Sequence, residues 1–178
     1  PDMFELLRAN YSGCKGLDFE LAAITESCSS IKMYRVPVDA VQTGQVPVWA
    51  LGISSLYKDR NAIGGKRISN EDYERIQKYI IEETVEGITF DELVRRQKIR
   101  RIDVLQIDAE GGDYSILCQI DFERFHPKVI QLEFCNIPDQ EKADCLSLLK
   151  TQGYACYISV SGTDLLAVAA SLVACVPG

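Results

Sequence analysis

The chain contains one histidine among its 178 residues. Serine–histidine or cysteine–histidine catalysis therefore has a single imidazole to draw on. His126 sits in "FERFHPK", a loop that leads into a strand, whereas α/β proteins bind ligands beyond the carboxyl ends of their strands. It reads as a surface loop residue. Paired cysteines are missing as well. Seven cysteines (Cys14, Cys28, Cys118, Cys135, Cys145, Cys156 and Cys175) are scattered without any CxxC. With so little histidine, a Cys/His zinc site has no ligand spacing to use, and no metal site is expected. Most of the cysteines read as small buried apolar residues in a reducing compartment. No GxGxxG occurs, and "AIGGK" lacks the strand–GxxxxGK–helix context of a phosphate loop. Positive charge is scarce too: 19 Lys and Arg stand against 26 Asp and Glu, for a net charge of −7. That balance argues against nucleic acid as a partner. No signal peptide is visible, and the longest apolar run, residues 165–176, is too short to span a bilayer. The expectation is a cytoplasmic protein with no membrane partner.

What is present is ordinary soluble composition, 47% hydrophobic and 25% charged, with enough chain for one sizeable core. "PDMFELLRANYSG" predicts a helix with Pro1 and Asp2 in its first turn, Phe4, Leu7 and Tyr11 at helical spacing, and Gly13 as its stop. Strands are predicted over residues 17–24 ("LDFELAAI"), 31–36 ("IKMYRV") and 46–51 ("VPVWAL"), the last two separated by the turn-like "DAVQTGQ". Residues 52–70 read as a long loop, of a length that is usually functional or disordered. "NEDYERIQKYI" predicts a helix capped by Asn70, with Tyr73, Ile76, Tyr79 and Ile80 on one face. In "TFDELVRRQKIRR", Thr89 and Glu92 have capping-box spacing and the basic residues fall late, matching the helix dipole. The cluster Arg95, Arg96, Lys98, Arg100 and Arg101 reads as a solvated helix end in preference to an anion site.

From residue 102 the pattern is regular: strand 102–107, helix 113–120, strand 128–134, the helix "DQEKADCLSLLKTQG" stopped by Gly153, then strands 154–160 and 165–169. Only "SGTD" joins the last two, so they must form an antiparallel hairpin. The alternation implies an α/β fold with a mostly parallel sheet covered on both faces.

The stretch "DVLQIDAEGGDYSIL" places chemistry on that framework. An apolar strand ends in Asp108 and Glu110, and Gly111 and Gly112 then permit a sharp turn into a helix. Glu133 closes the neighbouring strand "VIQLEF". Three carboxylates at one strand edge can do general-base work. The competing reading is structural, since Asp113 or Glu110 could merely cap the following helix.

The residues "GITFDELVRRQKIRRIDVLQIDAEGGDYSILCQIDFERFHPKVIQLEF" resemble the hallmark region of FkbM-type methyltransferases. That pattern runs from a "TLDEL" helix start through a "DLLKIDVEGAE…IL" core to "P.VI..E". Here these are Thr89–Phe90–Asp91–Glu92–Leu93, Asp103–Leu105–Ile107–Asp108–Glu110–Gly111, Ile116–Leu117, and Pro127–Val129–Ile130–Glu133. Gln106 replaces the usual lysine, and Gly112–Asp113 replace the usual "AE". The resemblance implies a Rossmann-like, seven-stranded, S-adenosylmethionine-dependent methyltransferase, usually an O-methyltransferase, acting on a small molecule or glycan. It implies Asp108 and Glu110 at the cofactor and acceptor crevice and Glu133 near the acceptor. It also implies a loop near the adenine after "LAAI", so that Ala22 and Ala23 join Asp108 as cofactor-binding residues.

Such enzymes open with a strand and glycine-rich turn for the donor, then a strand ending in an acid for the ribose. By that comparison residues 1–178 are one methyltransferase domain lacking its beginning, a chain expected to be inactive and to bind the donor weakly by itself. A reading of another class also stands: a non-catalytic, methyltransferase-like module that only binds a partner.

Overall fold

The computed structural model describes residues 2–60 and 68–173. Pro1, positions 61–67 of the expected long loop, and the end of the apolar run with Cys175 lie outside the described residues. The chain divides into two compact units, one ending at Leu93 and one beginning at Val94.

The N-terminal unit runs α1 (Asp2–Asn10), β1 (Ala23–Ile24), β2 (Ser29–Arg35), α2 (Val38–Gln42), a 3-10 helix (Val48–Gly52), β3 (Ser54–Ser55), α3 (Asn70–Gln77) and β4 (Ile81–Ile88). Its sheet has the order β1-β4-β2-β3. Only β1 and β4 pair in parallel; β4–β2 and β2–β3 are antiparallel. The central strand β4, "IEETVEGI", is one the sequence hides, because three glutamates weaken its strand signal. Pairing with β2, continuous from Ser29↔Gly87 to Arg35↔Ile81, supplies the missing preference. Diagonal ion pairs match the acids: Lys32 Nζ lies 2.8 Å from Glu82 Oε1, and Arg35 Nε lies 2.6 Å from Glu83 Oε2. Arg35 also reaches Asp2 of α1 at 3.1 Å.

Gly87 is the tight point of this sheet. A Cβ there would meet Thr25 Oγ1 at 2.6 Å and the Ser29 carbonyl at 3.0 Å. The hydroxyl can rotate away, but a carbonyl fixed in the sheet cannot. Gly87→Ala is expected to destabilise the protein by about 1–3 kcal/mol, the usual cost of overpacking, as read by urea unfolding. An unchanged midpoint would mean that the β1–β4–β2 strands separate more easily than their pairing suggests.

Three local expectations change in this unit. Residues 46–51 do not form a strand; Pro47, which has no N–H to give a ladder, precedes the 3-10 turn, where Ala50 is buried and Val48 is 74% exposed. Ser69, not Asn70, caps α3, accepting from the Asp72 N–H at 3.0 Å. Of residues 17–24 only Ala23 and Ile24 are strand. The core here is small: Val36, Ala40, Val46, Ala50, Ile53 and Ile76, with Tyr73, Tyr79 and Ile80 packed against it.

The helix α4 (Phe90–Arg96) carries its expected cap, the Thr89 hydroxyl accepting from the Glu92 N–H at 3.1 Å. Then follow β5 (Val104–Ile107), α5 (Asp113–Leu117), β6 (Val129–Glu133), α6 (Asp139–Thr151), β7 (Tyr154–Ile158), β8 (Asp164–Ala169) and α7 (Ala170–Val173). The sheet order is β5-β6-β8-β7. β5 and β6 are parallel neighbours, and the antiparallel hairpin lies beyond them, as the sequence predicts.

The fold is mixed α/β with two mixed sheets, and neither sheet is mostly parallel. The helix-linked pair β5–β6 does run parallel, but the predicted hairpin adds antiparallel pairings, and so does the strand β4, which local alternation does not reveal. Coverage also falls short of the expectation. One face of the second sheet buries Ile130, Leu132, Leu165 and Ala167 together with Leu117 of α5 and Leu149 of α6. On the other face Val104, Tyr157 and Leu166 remain 65%, 51% and 39% exposed. The cysteines differ from expectation too: among the described ones only Cys145 is buried, and Cys14, Cys28 and Cys118 are exposed. Cys14 and Cys28 lie in loops and Cys118 at the end of α5. Burial pushes the Cys145 thiol up to about 12, which fits a core residue. No helix among the described residues is long and apolar enough to cross a membrane.

Candidate functional site

The C-terminal end of the parallel pair β5–β6 gathers the three predicted carboxylates. Each arrives by a different local device. Asp108 is the first residue after β5 and is exposed. Glu110 follows in a turn closed by the Gly112 N–H donating to the Ala109 carbonyl at 3.1 Å. Its two central residues both have positive φ, +46° at Glu110 and +100° at Gly111. Gly111 adopts this without penalty. Glu110 does not, because its Cβ crowds the carbonyl that follows, at a cost of about 1 kcal/mol. The strain swings the Glu110 carboxylate back toward β6.

Glu133 ends β6, where alternation buries Ile130 and Leu132 on the helix side and leaves Glu133 half-buried on the other. The chain then turns under the control of β8: the Thr163 carbonyl accepts the Phe134 and Cys135 N–H groups at 2.7 and 3.2 Å. That turn delivers Asn136, whose Nδ2 donates to Glu110 Oε2 at 2.9 Å and to Glu133 Oε2 at 2.8 Å. The Cys135 thiol donates to Glu133 Oε1 at 3.4 Å. One oxygen from each of Asp108, Glu110 and Glu133 lies within 4.8 Å of the others. The three acids thus form one group.

Asp113 feels the charge of Glu133. It is fully buried at the start of α5, and neither of its carboxylate oxygens has a hydrogen-bond partner among the described residues. Burial first, and then the charge of Glu133, push its carboxyl up to about 6. Backbone amides at Ala109, Gly111 and Asp113 itself pull the other way. The capping role open to Asp113 or Glu110 is not taken up, since Gly112 occupies the cap position of α5 and no side chain bonds there.

Ala22 and Ala23 are half-buried in the N-terminal unit, Ala23 beginning β1. His126 is exposed, as expected, with φ +36°; its ring stacks on Tyr154 at 5.0 Å and its Nε2 meets the Gln152 carbonyl at 3.0 Å. It holds two loops together away from the carboxylates. Asn136 is the functional candidate that sequence reading missed. Its signal was slight: a side-chain amide three residues past Glu133, in a strand-to-helix connection at the same edge.

As chemistry, the group is a cluster of carboxylate oxygens at the carboxyl end of two parallel strands, where α/β proteins bind ligands. It can accept protons or hold positive charge. No curated protein and no solved structure matches the chain. A family model, the methyltransferase FkbM domain, matches residues 29–156, a span that includes all three carboxylates and Asn136. The chain belongs to the FkbM methyltransferase family.

Proposed function

We propose that this domain transfers a methyl group from S-adenosylmethionine to a hydroxyl oxygen of a small molecule or glycan. The observation that carries the reading is the convergence of Asp108, Glu110 and Glu133 beyond β5 and β6. The residues suit the donor in charge, because carboxylates favour a ligand bearing a sulfonium and an ammonium group. When bound, that donor supplies an electrophilic methyl group. Asp108, the most exposed of the three acids, would take the proton from the acceptor hydroxyl as its oxygen bonds to the methyl carbon and the methyl carbon–sulfur bond breaks, with S-adenosylhomocysteine as the leaving group. Glu110 and Glu133, held by Asn136, orient the acceptor and restrict its freedom. Catalysis of this kind rests mainly on alignment of the reacting atoms. The order β5-β6-β8-β7, with its parallel pair and antiparallel hairpin, supports a Rossmann-like sheet as the framework.

The test is calorimetric titration of the native full-length protein with S-adenosylhomocysteine, followed by donor turnover on a panel of hydroxylated acceptors. Binding near micromolar, about −8 kcal/mol, is expected. Absence of binding at millimolar ligand would refute donor-dependent transfer and leave a module that only binds a partner.

A further inference from the structure

The basic cluster that reads from sequence as a solvated helix end is only partly that. α4 ends at Arg96, so the helix dipole accounts for Arg95 and Arg96 alone. Lys98, Arg100 and Arg101 lie beyond it. The helix closes with the Ile99 N–H donating to the Val94 carbonyl at 3.0 Å and with Lys98 in the left-handed region, φ +52°, where glycine is the usual residue. Lys98 and Arg100 are exposed and form no ion pair among the described residues. Lys128, just before β6, joins them: the Asp103 carboxylate accepts from Arg101 Nε at 2.9 Å and lies 2.8 Å from Lys128 Nζ. Two exposed cations thus share one acid.

Charge is sorted along these strands. The bases stand where β5 and β6 begin, and Asp108, Glu110, Glu133 and Asp164 stand where they end. The connection from α5 to β6 adds Asp121, Glu123 and Arg124 to the first end, where bases still outnumber acids. Four residues of strand separate the two ends by about 13 Å, more than the screening length of about 8 Å, so each end acts by itself. Polarity follows the same order across the exposed face of the sheet. Val104, Val129, Val168 and Ala155 lie abreast beside the basic end. Gln106, Gln131, Leu166 and Tyr157 form the next row, and Glu133 and Asp164 the last. Val104, at the corner where the bases meet the apolar row, is 65% exposed.

A soluble polyanion would use the cations and leave the apolar row wet. The surface of an anionic bilayer uses both, its phosphates against the bases and the boundary of headgroups and acyl chains against the valines. We propose that this corner of the C-terminal unit docks on an anionic phospholipid bilayer, with Lys98, Arg100, Arg101 and Lys128 against the headgroups and Val104 leading the apolar row into the boundary. Docked in this way, the carboxylates at the far ends of the strands stay clear of the negative lipid. The surface does not depend on methyl transfer, so the two readings fail separately.

The test sediments the native full-length protein with phosphatidylcholine vesicles, with and without phosphatidylglycerol, at about 0.1 M NaCl. Binding is expected only to the anionic vesicles. Raising NaCl to about 1 M, which shortens the screening length to about 3 Å, should release the protein. Each basic residue close to such a surface is worth about fivefold in binding, so Lys98→Gly combined with Arg100→Gln should weaken it about 25-fold. Glycine suits the left-handed position, so this loss does not come from a broken turn. Val104→Ser should weaken vesicle binding about threefold through lost apolar contact. Equal binding to both kinds of vesicle, or binding unaltered by either change, overturns the proposal. So does an absence of vesicle binding; heparin or polyglutamate bound in its place would assign the basic end to a soluble polyanion.

Discussion

Replacing Asp108 by Asn is expected to slow the proposed methyl transfer about 10²–10⁴-fold, the usual contribution of a positioned general base. Asparagine keeps the shape of the side chain but cannot take up the acceptor's proton, so the loss falls mainly on kcat. Asp108 lies after the end of β5 on the exposed side of the turn, and substitutions at such positions usually move stability by less than about 0.5 kcal/mol. A rate loss with an unshifted melting temperature therefore separates chemistry from folding. Glu133→Gln offers the contrast. Glu133 is held by Asn136 and Cys135, so its loss disturbs the position of the acceptor and raises KM along with lowering kcat. Wild-type turnover in Asp108→Asn would return that residue to a plain surface acid and move the base to Glu110 or Glu133.

The second large effect is on stability and concerns Asp113. In the unfolded chain its carboxyl titrates near the ordinary aspartate value of about 3.9; in the folded protein it is pushed up to about 6. The sign follows from proton counting. Well below pH 4 both states are protonated and this group contributes no pH dependence. Between about pH 4 and 6 the unfolded state releases its proton while the folded state keeps it, so stability falls as pH rises. Above about pH 6 the folded state must carry a buried charge, and the accumulated loss is about 3 kcal/mol. Asp113→Asn removes the titration. Compared by urea unfolding in EDTA, the variant should gain about 3 kcal/mol relative to wild type between pH 4 and pH 7. Parallel pH profiles for the two proteins would mean that Asp113 ionises normally and that its surroundings are wetter than the structure implies.

Much of the C-terminal unit follows from local pattern alone. Val104–Ile107, Val129–Glu133 and the closing hairpin stand within two residues of where periodicity and turn length put them. An apolar strand, a glycine turn and an amphipathic helix are each written in a few consecutive residues. The same economy places Asp108, Glu110 and Glu133 at one edge, because two adjacent parallel strands must bring their carboxyl ends together. Pairing across the chain is written nowhere locally. β4 becomes a strand through seven pairings with β2, a partner some fifty residues earlier, against the preference of its own glutamates. Residues 46–51 look like a strand yet wind into a 3-10 turn after Pro47.

The residue types and their strand-end spacing thus fixed which acids stand at the site; how those acids are held was decided in three dimensions. Glu110 enters a left-handed turn because Gly111 and the start of α5 leave it no other course. Asn136 reaches it only because the Thr163 carbonyl of the distant hairpin bends the chain after β6. Asp113 is buried because α5 packs its first turn inward, so an acid that should cap a helix feels the charge of Glu133 without a hydrogen-bond partner among the described residues. Periodicity and turn chemistry act over a few residues. Burial and charge depend on whatever the fold brings alongside, and no stretch of sequence carries that information by itself.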